Sequence, residues 1–295
     1  MTALLQRLVL AGLLALPPAA RAAAAAAPPL RVAALSTVLA EVARVVGRDD
    51  VAVAGILPPG VDPHGFEPSA AELRQMADAD VILASGLDLE SYLDRVVGRI
   101  GLRGGVVRVG DALPLVLATG GEKDPHWWHS VTDMKAATEI VRAAFARRRP
   151  EAAARFARNA EAYEARLSAL QAWVAREIGR LPPDRRQLVT SHDAFAYFAH
   201  DYGFTVHPLS GLSTESEPDP RQLAALIDLI RARRIKAVFV EDSINPGYVA
   251  SLVEETGVRV GGMLYADGLG PSGSDGETYV GMYRHNVTTL VDGLR

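Results

Sequence analysis

Four residues far apart along the chain have side chains suited to a single metal site: His64, His126, His192 and Asp267. They are separated by 62, 66 and 75 residues, and three of them follow short apolar runs that predict β-strands. In open α/β sheets, ligands bind beyond the carboxyl ends of the strands, so distant parts of a sequence can meet there. Three imidazoles and one carboxylate suit a tetrahedral zinc site. The distribution favours a binding protein that closes on the ion over a local finger or a catalytic motif on one helix.

The segment DPHWWHS, residues 124–130, offers two histidines as the second ligand. Histidines three residues apart could both bind an ion from one helix. The proline and the tryptophan pair favour an irregular loop instead, so we predict His126 as the ligand and keep His129 as the alternative. Asp124 can accept the second ring N–H of the ligand, as metal-bound imidazoles usually require. The two tryptophans are expected either around the site or in ordinary core packing.

His64 and Asp267 each have an ordinary structural interpretation as well. Taken alone, His64 between Pro63 and Gly65 is a loop histidine that caps a turn. Taken alone, Asp267 before a Gly/Ser-rich loop is a turn or helix-capping residue. Only their order and their positions after strands favour the metal site.

Other acidic and imidazole side chains are weaker candidates. Glu241 and Asp242 end the apolar run KAVFVED, and we predict that they hydrogen-bond to ligands or backbone rather than bind the ion. His200 lies about two turns into a predicted helix, His207 lies in a strand and His285 lies on the last helix. None of these three histidines is predicted as a ligand.

Alternating patterns predict the elements that position these side chains. Short apolar runs alternate with amphipathic segments over residues 31–130 and again after residue 183, which indicates parallel sheets flanked by helices. Ser69 followed by Glu72 is a capping box that predicts the start of a helix. From residue 151 to 178 there is no proline or glycine, and apolar residues recur at helical spacing, which predicts one long helix.

We therefore predict an α/β fold of two lobes, each with a mostly parallel sheet flanked by helices, joined by one long rigid helix. The predicted divisions are a signal peptide at 1–27, an N-terminal lobe at 28–132, a helical linker at 133–182 and a C-terminal lobe at 183–295. A mature chain of about 270 residues is long for a single core. Each lobe is accordingly expected to enclose a core of its own.

Composition indicates an exported protein. A short basic start, the apolar stretch LVLAGLLALPPAA and a run of alanines form a secretory signal pattern, too short to span a bilayer. The sequence has 0 cysteines, which excludes disulfides and thiolate ligands and leaves no cysteine for a lipid anchor. We expect a soluble periplasmic protein. The net charge of −4 argues against nucleic acid as a partner.

Taken together, these segments resemble the metal-binding solute-binding proteins of bacterial ABC importers for zinc and manganese, known as cluster A-I or cluster 9. The first ligand loop and following helix of that family are similar to VDPHGFEPSAAELRQMADADVIL. Its second and third ligand segments are similar to DPHWW and TSHDAFAYFAHDYGF, and its last to YADGLG with the helix TYVGMYRHNVTTLVDGL. The resemblance covers nearly the whole mature chain. It implies a metal ion between two lobes, bound by His64, His126, His192 and Asp267, and an inner-membrane permease as partner.

The resemblance also suggests which metal is carried. Zinc carriers of this family commonly have histidine at the third ligand position, where manganese carriers often have glutamate, so His192 favours zinc. The chemistry agrees, because manganese prefers more oxygen ligands than a His₃Asp set provides. The stretch DALPLVLATGGEK lacks the His-rich loop of many zinc carriers. The chain is therefore most similar to zinc carriers without that loop, some of which are served by a periplasmic metallochaperone.

We predict a monomeric, non-enzymatic periplasmic protein that captures Zn²⁺ between its lobes and delivers it to an ABC permease. The first alternative is a manganese carrier of the same family. A second is a secreted zinc hydrolase with Glu241 as general base, which would need three ligands and a bound water. No HExxH motif is present to support the hydrolase. A third alternative is an adhesin-like protein with a structural metal.

Overall fold

A computed structural model describes residues 27–212, 219–241 and 247–295. The predicted signal peptide lies outside these ranges except for its last residue. Asp242, one of the two acidic candidates at the end of KAVFVED, also lies outside them. Among the described residues, no helix has the length and apolar character needed to cross a membrane.

The N-terminal lobe is built on a four-stranded parallel sheet with helices beside it. Its strands are β1 (Leu30–Ala34), β2 (Val51–Gly55), β3 (Val81–Ala84) and β4 (Gly105–Arg108). Its helices are α1 (Thr37–Gly47), α2 (Ala70–Asp78) and α3 (Leu93–Val97). The strand order is β2-β1-β3-β4. Ser69 and Glu72 form the predicted capping box at the start of α2, whereas the sequence patterns did not identify α3 and β4.

Two long helices lead from the first lobe to the second. They are α4 (Val131–Arg148) and α5 (Ala153–Ile178). The 26 residues of α5 make it about 40 Å long at 1.5 Å per residue. A short 3₁₀ turn at Pro150–Ala152 separates the two helices, because the proline cannot continue α4. The single long helix predicted from the sequence is confirmed.

The C-terminal lobe repeats the arrangement of the first. Its strands are β5 (Gln187–Thr190), β6 (Thr205–Pro208), β7 (Ala237–Glu241) and β8 (Arg259–Leu264). Its helices are α6 (Ala196–Tyr202), α7 (Pro220–Arg233), α8 (Gly247–Thr256) and α9 (Tyr279–Leu294). The strand order is β6-β5-β7-β8, and all paired strands are parallel. Two α/β lobes with parallel sheets, joined by a long helix, were predicted and are confirmed.

One hydrophobic core runs through both lobes, contrary to the expectation of a separate core in each. It includes Val38 of α1, Phe145 of α4, Leu167 of α5 and Leu290 of α9. Two smaller clusters lie apart from it, one around Met76 in the first lobe and one in the second. The expectation was wrong because α1, α4 and α9 all pack against α5 and bury their apolar faces together.

Helix α1 also holds the C-terminal lobe through polar contacts. The carboxylate of Glu41 accepts hydrogen bonds from the backbone N–H of Tyr279, at 2.5 Å, and from the hydroxyl of Tyr163, at 3.1 Å. Burial raises the pKa of Glu41, against the lowering effect of these bonds. The Thr37 hydroxyl accepts the backbone N–H of Leu269 at 2.8 Å. The first lobe is thus tied to the segment that carries the last predicted ligand.

Replacing Asp133 with asparagine is expected to stabilise the metal-free protein at pH 8 and to have little effect at pH 3.5. Burial, and then the nearby charge of Asp201, raise the pKa of Asp133 from 3.8 to about 6. The folded state therefore holds a proton that the unfolded state releases, and stability is lost as the pH rises from 3.8 to about 6. Asparagine removes this loss. A shift of this size corresponds to about 3 kcal/mol, and solvent screening of the partly buried carboxyl group reduces the expected gain above that window to about 1–2 kcal/mol. Urea unfolding at several pH values measures the difference, and a constant gap between the two proteins would contradict it.

Candidate metal centre

The four predicted ligand residues come together between the lobes. One ligand atom from each of His64, His126, His192 and Asp267 lies within 4.8 Å of all the others. The Oδ1 atom of Asp267 lies 3.3 to 3.5 Å from the Nε2 atoms of the three histidines. The Nε2 atoms of His64 and His126 are 3.2 Å apart. Zinc bonds of about 2.0–2.1 Å place the ligand atoms of a regular tetrahedron about 3.3–3.4 Å apart. These four separations fit such a site, and the remaining two, from His192 to the other histidines, lie within 4.8 Å.

His192 and Asp267 follow strands, as predicted, although neither follows its strand directly. Strand β5 ends at Thr190, two residues before His192, and β8 ends at Leu264, three before Asp267. The Thr190 hydroxyl donates to the His192 carbonyl at 2.8 Å, which closes the turn after β5. Helix α6 begins four residues after His192, at Ala196. The short turns after the strands aim the ligands toward the gap between the lobes.

Carboxylates orient two of the three imidazoles. Asp124 accepts the Nδ1–H of His126 at 2.6 Å, as predicted from the sequence. Glu241 accepts the Nδ1–H of His192 and also the backbone N–H groups of Ser191 and His192. Because Nδ1 donates in both rings, Nε2 of the neutral imidazole presents its lone pair to the centre.

The electrostatics of the cluster favour positive charge at its centre. Burial lowers the pKa of His126, but Asp124 and Asp267 together raise it by more, so the net shift is upward. For His192, burial is likewise outweighed by Glu241 and Asp267, which raise the pKa well above its usual value. Burial raises the pKa of Asp267, yet the adjacent histidines hold it well below its usual range. The buried carboxylates of Asp124, Glu241 and Asp267 thus stabilise positive charge at the cluster. Protons on the histidines can supply that charge, and a divalent cation can replace them.

His129, the alternative second ligand, lies beside the cluster and outside it. Its Nε2–H donates to the carbonyl oxygen of Ala266 at 2.8 Å, and its ring stacks on Phe195 with centroids 4.4 Å apart. Burial lowers the pKa of His129 to about 4, so the ring is neutral at pH 7. This histidine contacts the backbone next to Asp267.

The other three histidines have partners away from the cluster. His200 is largely exposed and lies 3.2 Å from Asp201. His207 contacts Gln187 across the sheet. The Nε2 atom of His285 lies 3.0 Å from the carbonyl oxygen of Met263. The described part of the chain places none of them with the four clustered residues.

Sequence patterns did not identify the groups that hydrogen-bond to the backbone of the segments carrying His126 and Asp267. The Ala266 carbonyl accepts N–H groups from both Trp128 and His129. The hydroxyls of Tyr279 and Tyr283 donate to the carbonyls of Trp128 and His129. The two tyrosines lie four residues apart on α9, a spacing that places them on one helix face and was the only available signal. A backbone carbonyl such as that of Ala266 leaves no mark in the sequence.

The arrangement favours holding an ion over activating water. A catalytic zinc site keeps one position open for water, whereas four protein ligands close a tetrahedral site. Glu241, the candidate general base, already accepts three hydrogen bonds from Ser191 and His192. Both oxygens of its carboxylate are thus occupied as acceptors, whereas a general base must be within hydrogen-bond reach of the water that it deprotonates.

Comparisons with known proteins agree with this picture. Residues 32–293 match the family model described as zinc-uptake complex component A, periplasmic (ZnuA). The manganese-binding lipoprotein MntA of Bacillus subtilis is 39% identical over 275 residues, covering 90% of each chain. The zinc-binding protein TroA of Treponema pallidum is 36% identical over 266 residues, covering 87% of this chain and 86% of that one. The solved structure of the TroA protein superposes with a TM-score of 0.86 at 34% identity, covering 91% of this chain and 99% of that one.

Two parallel α/β lobes with a His₃Asp cluster between them define a metal-binding solute-binding protein. The chain belongs to the ZnuA family, cluster A-I, whose members bind metals for ABC importers. The family implies a metal ion and an ABC permease as partners, and a place outside the cytoplasmic membrane or in the periplasm. The relatives are transport proteins, and no enzyme family is indicated.

Proposed function

We propose that this protein captures Zn²⁺ with His64, His126, His192 and Asp267 and delivers it to its permease without catalysing a reaction. The observation that carries the proposal is the meeting of three imidazole nitrogens and one carboxylate oxygen within 4.8 Å of one another. Four of their six separations are 3.2–3.5 Å. Such spacing leaves room for one small cation and suits four short bonds in a tetrahedron.

The relatives do not decide the metal, because one is named for manganese and another for zinc. The ligand chemistry supports zinc. Manganese favours oxygen-rich, six-coordinate sites, whereas three imidazoles and one carboxylate suit zinc. The third ligand position carries the imidazole of His192, whose ring is fully buried and oriented by Glu241. The manganese carrier is the second candidate, supported by the higher identity to MntA.

Several finer features belong to the same proposal. The mature protein begins near residue 28 and is divided into an N-terminal lobe at 28–132, a helical linker at 133–182 and a C-terminal lobe at 183–295. It acts as a monomer and receives zinc directly or from a metallochaperone. The relative MntA is named a lipoprotein, which conflicts with the expected soluble form. We keep the soluble form as a proposal because the sequence contains 0 cysteines. The intact mass of the exported protein checks it, since an acyl group would add a large, discrete increment.

Competition between zinc and manganese for the purified metal-free protein tests the proposal. We expect zinc to bind at least about a hundredfold more tightly, as the Irving–Williams order and the ligand set both favour it. Titration against chelators of known affinity, at constant pH and salt, gives both dissociation constants. Tighter binding of manganese would reject the zinc carrier in favour of the second candidate.

A further inference from the structure

The backbone directly before Asp267 is held by two buried side chains. Trp128 Nε1 lies 2.9 Å and His129 Nε2 lies 2.8 Å from the carbonyl oxygen of Ala266. Both rings are 1% exposed. A carbonyl oxygen has two lone pairs, so these two donors satisfy it completely and fix the orientation of the Ala266–Asp267 peptide. We call this group of Trp128, His129 and the Ala266 carbonyl the Ala266 clamp.

The two donors of the clamp are themselves fixed. The ring of His129 stacks on Phe195 of the second lobe at a centroid distance of 4.4 Å. The hydroxyl of Tyr279 donates to the carbonyl of Trp128 at 2.8 Å, and that of Tyr283 to the carbonyl of His129 at 2.6 Å. All these groups are buried. A shift of either donor would therefore break a second buried hydrogen bond, which costs about 1–3 kcal/mol.

The chain is also fixed on either side of the clamp. The side chain of Asn286 accepts from the N–H of Tyr265 at 2.9 Å and donates to its carbonyl at 2.8 Å. On the far side of Asp267, the N–H of Leu269 donates to the Thr37 hydroxyl at 2.8 Å. The peptide that carries Asp267 thus has little freedom to turn.

We propose that Trp128 and His129 are positioning residues that set the selectivity between Zn²⁺ and Mn²⁺. The Ala266 clamp holds Asp267 where a single carboxylate oxygen, Oδ1, lies 3.3–3.5 Å from three imidazole nitrogens. This inference rests on the proposed ligand set.

The selectivity follows from what each ion needs. Zinc is satisfied by four ligands in a tetrahedron, so one oxygen of Asp267 suffices. Manganese seeks more oxygen ligands, and the second oxygen of the same carboxylate can supply one. Binding through both oxygens brings the carboxyl carbon of Asp267 closer to the ion, so the Ala266–Asp267 peptide has to move toward the centre with it. The clamp opposes this movement, so it lowers the affinity for manganese more than that for zinc.

Three matched variants test the inference. Trp128→Phe and His129→Phe each remove one N–H donor to Ala266 while keeping an aromatic ring. Trp127→Phe is the control, because its indole is 0% exposed and donates at 3.1 Å to a different carbonyl, that of Ser85. Zinc and manganese dissociation constants are measured on the full exported protein by chelator competition.

We expect Trp128→Phe and His129→Phe to reduce the preference for zinc over manganese about tenfold. This is the lower end of the usual loss of metal affinity when residues that orient a metal ligand are mutated. Trp127→Phe should leave the preference within about twofold of the wild type. His129→Gln retains an N–H donor and should restore most of the preference, which a merely structural role would not explain. If Trp128→Phe fails to fold, the two His129 variants decide the question.

An equal zinc-to-manganese ratio in the wild type, the clamp variants and the control would overturn the inference. The proposed function fails differently, through a wild-type protein that prefers manganese. In that case, a change in the ratio of zinc to manganese affinity that is confined to the Trp128 and His129 variants would still support a role of the clamp in selectivity. Equal weakening of both metals in every variant, Trp127→Phe included, would count against any specific role of the clamp.

Discussion

Asp267→Asn is expected to weaken zinc binding about a hundredfold to a thousandfold. Structural zinc sites are worth about 10–16 kcal/mol in total, so one of four ligands contributes about 3–4 kcal/mol. Asp267 also supplies the only negative charge among the four, and its pKa is held well below the usual range, so it is ionised at neutral pH. An asparagine oxygen has similar reach but lacks that charge, and the loss of the electrostatic attraction is the main effect.

Isothermal titration or chelator competition on the metal-free proteins measures this loss. Asp275→Asn is the matched control, because this carboxylate lies in the same segment and its side chain is 87% exposed. The control is expected to bind zinc as the wild type does. If the zinc dissociation constant of Asp267→Asn lies within about threefold of that of the wild type, Asp267 is not a ligand. The tetrahedral site proposed here would then be contradicted.

Glu241→Gln is expected to weaken zinc binding about tenfold to a hundredfold, although Glu241 is not among the clustered ligand atoms. Three donors converge on its carboxylate: the N–H groups of Ser191 and His192 and the Nδ1–H of His192. A glutamine has only one acceptor atom, which the two backbone N–H groups occupy. Its amide NH₂ would face Nδ1 of His192 and force the ring proton onto Nε2, where the lone pair is needed.

Asp124→Asn provides an internal comparison for this effect. Both the backbone N–H and the Nδ1–H of His126 donate to the same oxygen, Oδ1 of Asp124. An asparagine can keep that oxygen in place, so the tautomer of His126 is preserved and the loss should be smaller than for Glu241→Gln. Glu255→Gln, whose side chain is 62% exposed, is the control without effect. Equal losses for the variants of Asp124 and Glu241 would contradict the tautomer argument.

The continuous core has a consequence for release of the ion. Because α1, α4, α5 and α9 pack together across both lobes, the two halves are not independent bodies on a flexible hinge. The loop that carries His64 lies outside those helices. We expect the ion to leave through movement of this loop, with the helical layer between the lobes and the fixed segment around Asp267 remaining packed.

The sequence predicted the parts of the site that depend on residue type and order. Histidines and an aspartate placed after apolar runs pointed to the edge where parallel strands end, and the DPH motif predicted the bond from Asp124 to His126. The exact ends of β5 and β8 could not be predicted from the sequence, because Ser191 and Ala266 continue the small or apolar pattern beyond the last paired residue.

Other features depended on three-dimensional packing and could not be predicted. The Ala266 clamp uses a backbone carbonyl, which no side-chain pattern marks. The shared core arises because the apolar faces of α1 and α9 both pack on α5. These two helices lie more than 200 residues apart in the sequence. The short helix α3 and the short strand β4 have too few residues to show a clear period.

X-ray absorption at the zinc edge, on protein loaded with one equivalent of zinc, tests the central claim most directly. The account predicts four nitrogen or oxygen ligands at about 2.0–2.1 Å, with scattering from three imidazole rings. The same spectrum of Asp267→Asn or His192→Ala should change in ligand number or distance. A six-coordinate spectrum, or one with fewer than three imidazoles in the wild type, would contradict a tetrahedral site made of His64, His126, His192 and Asp267.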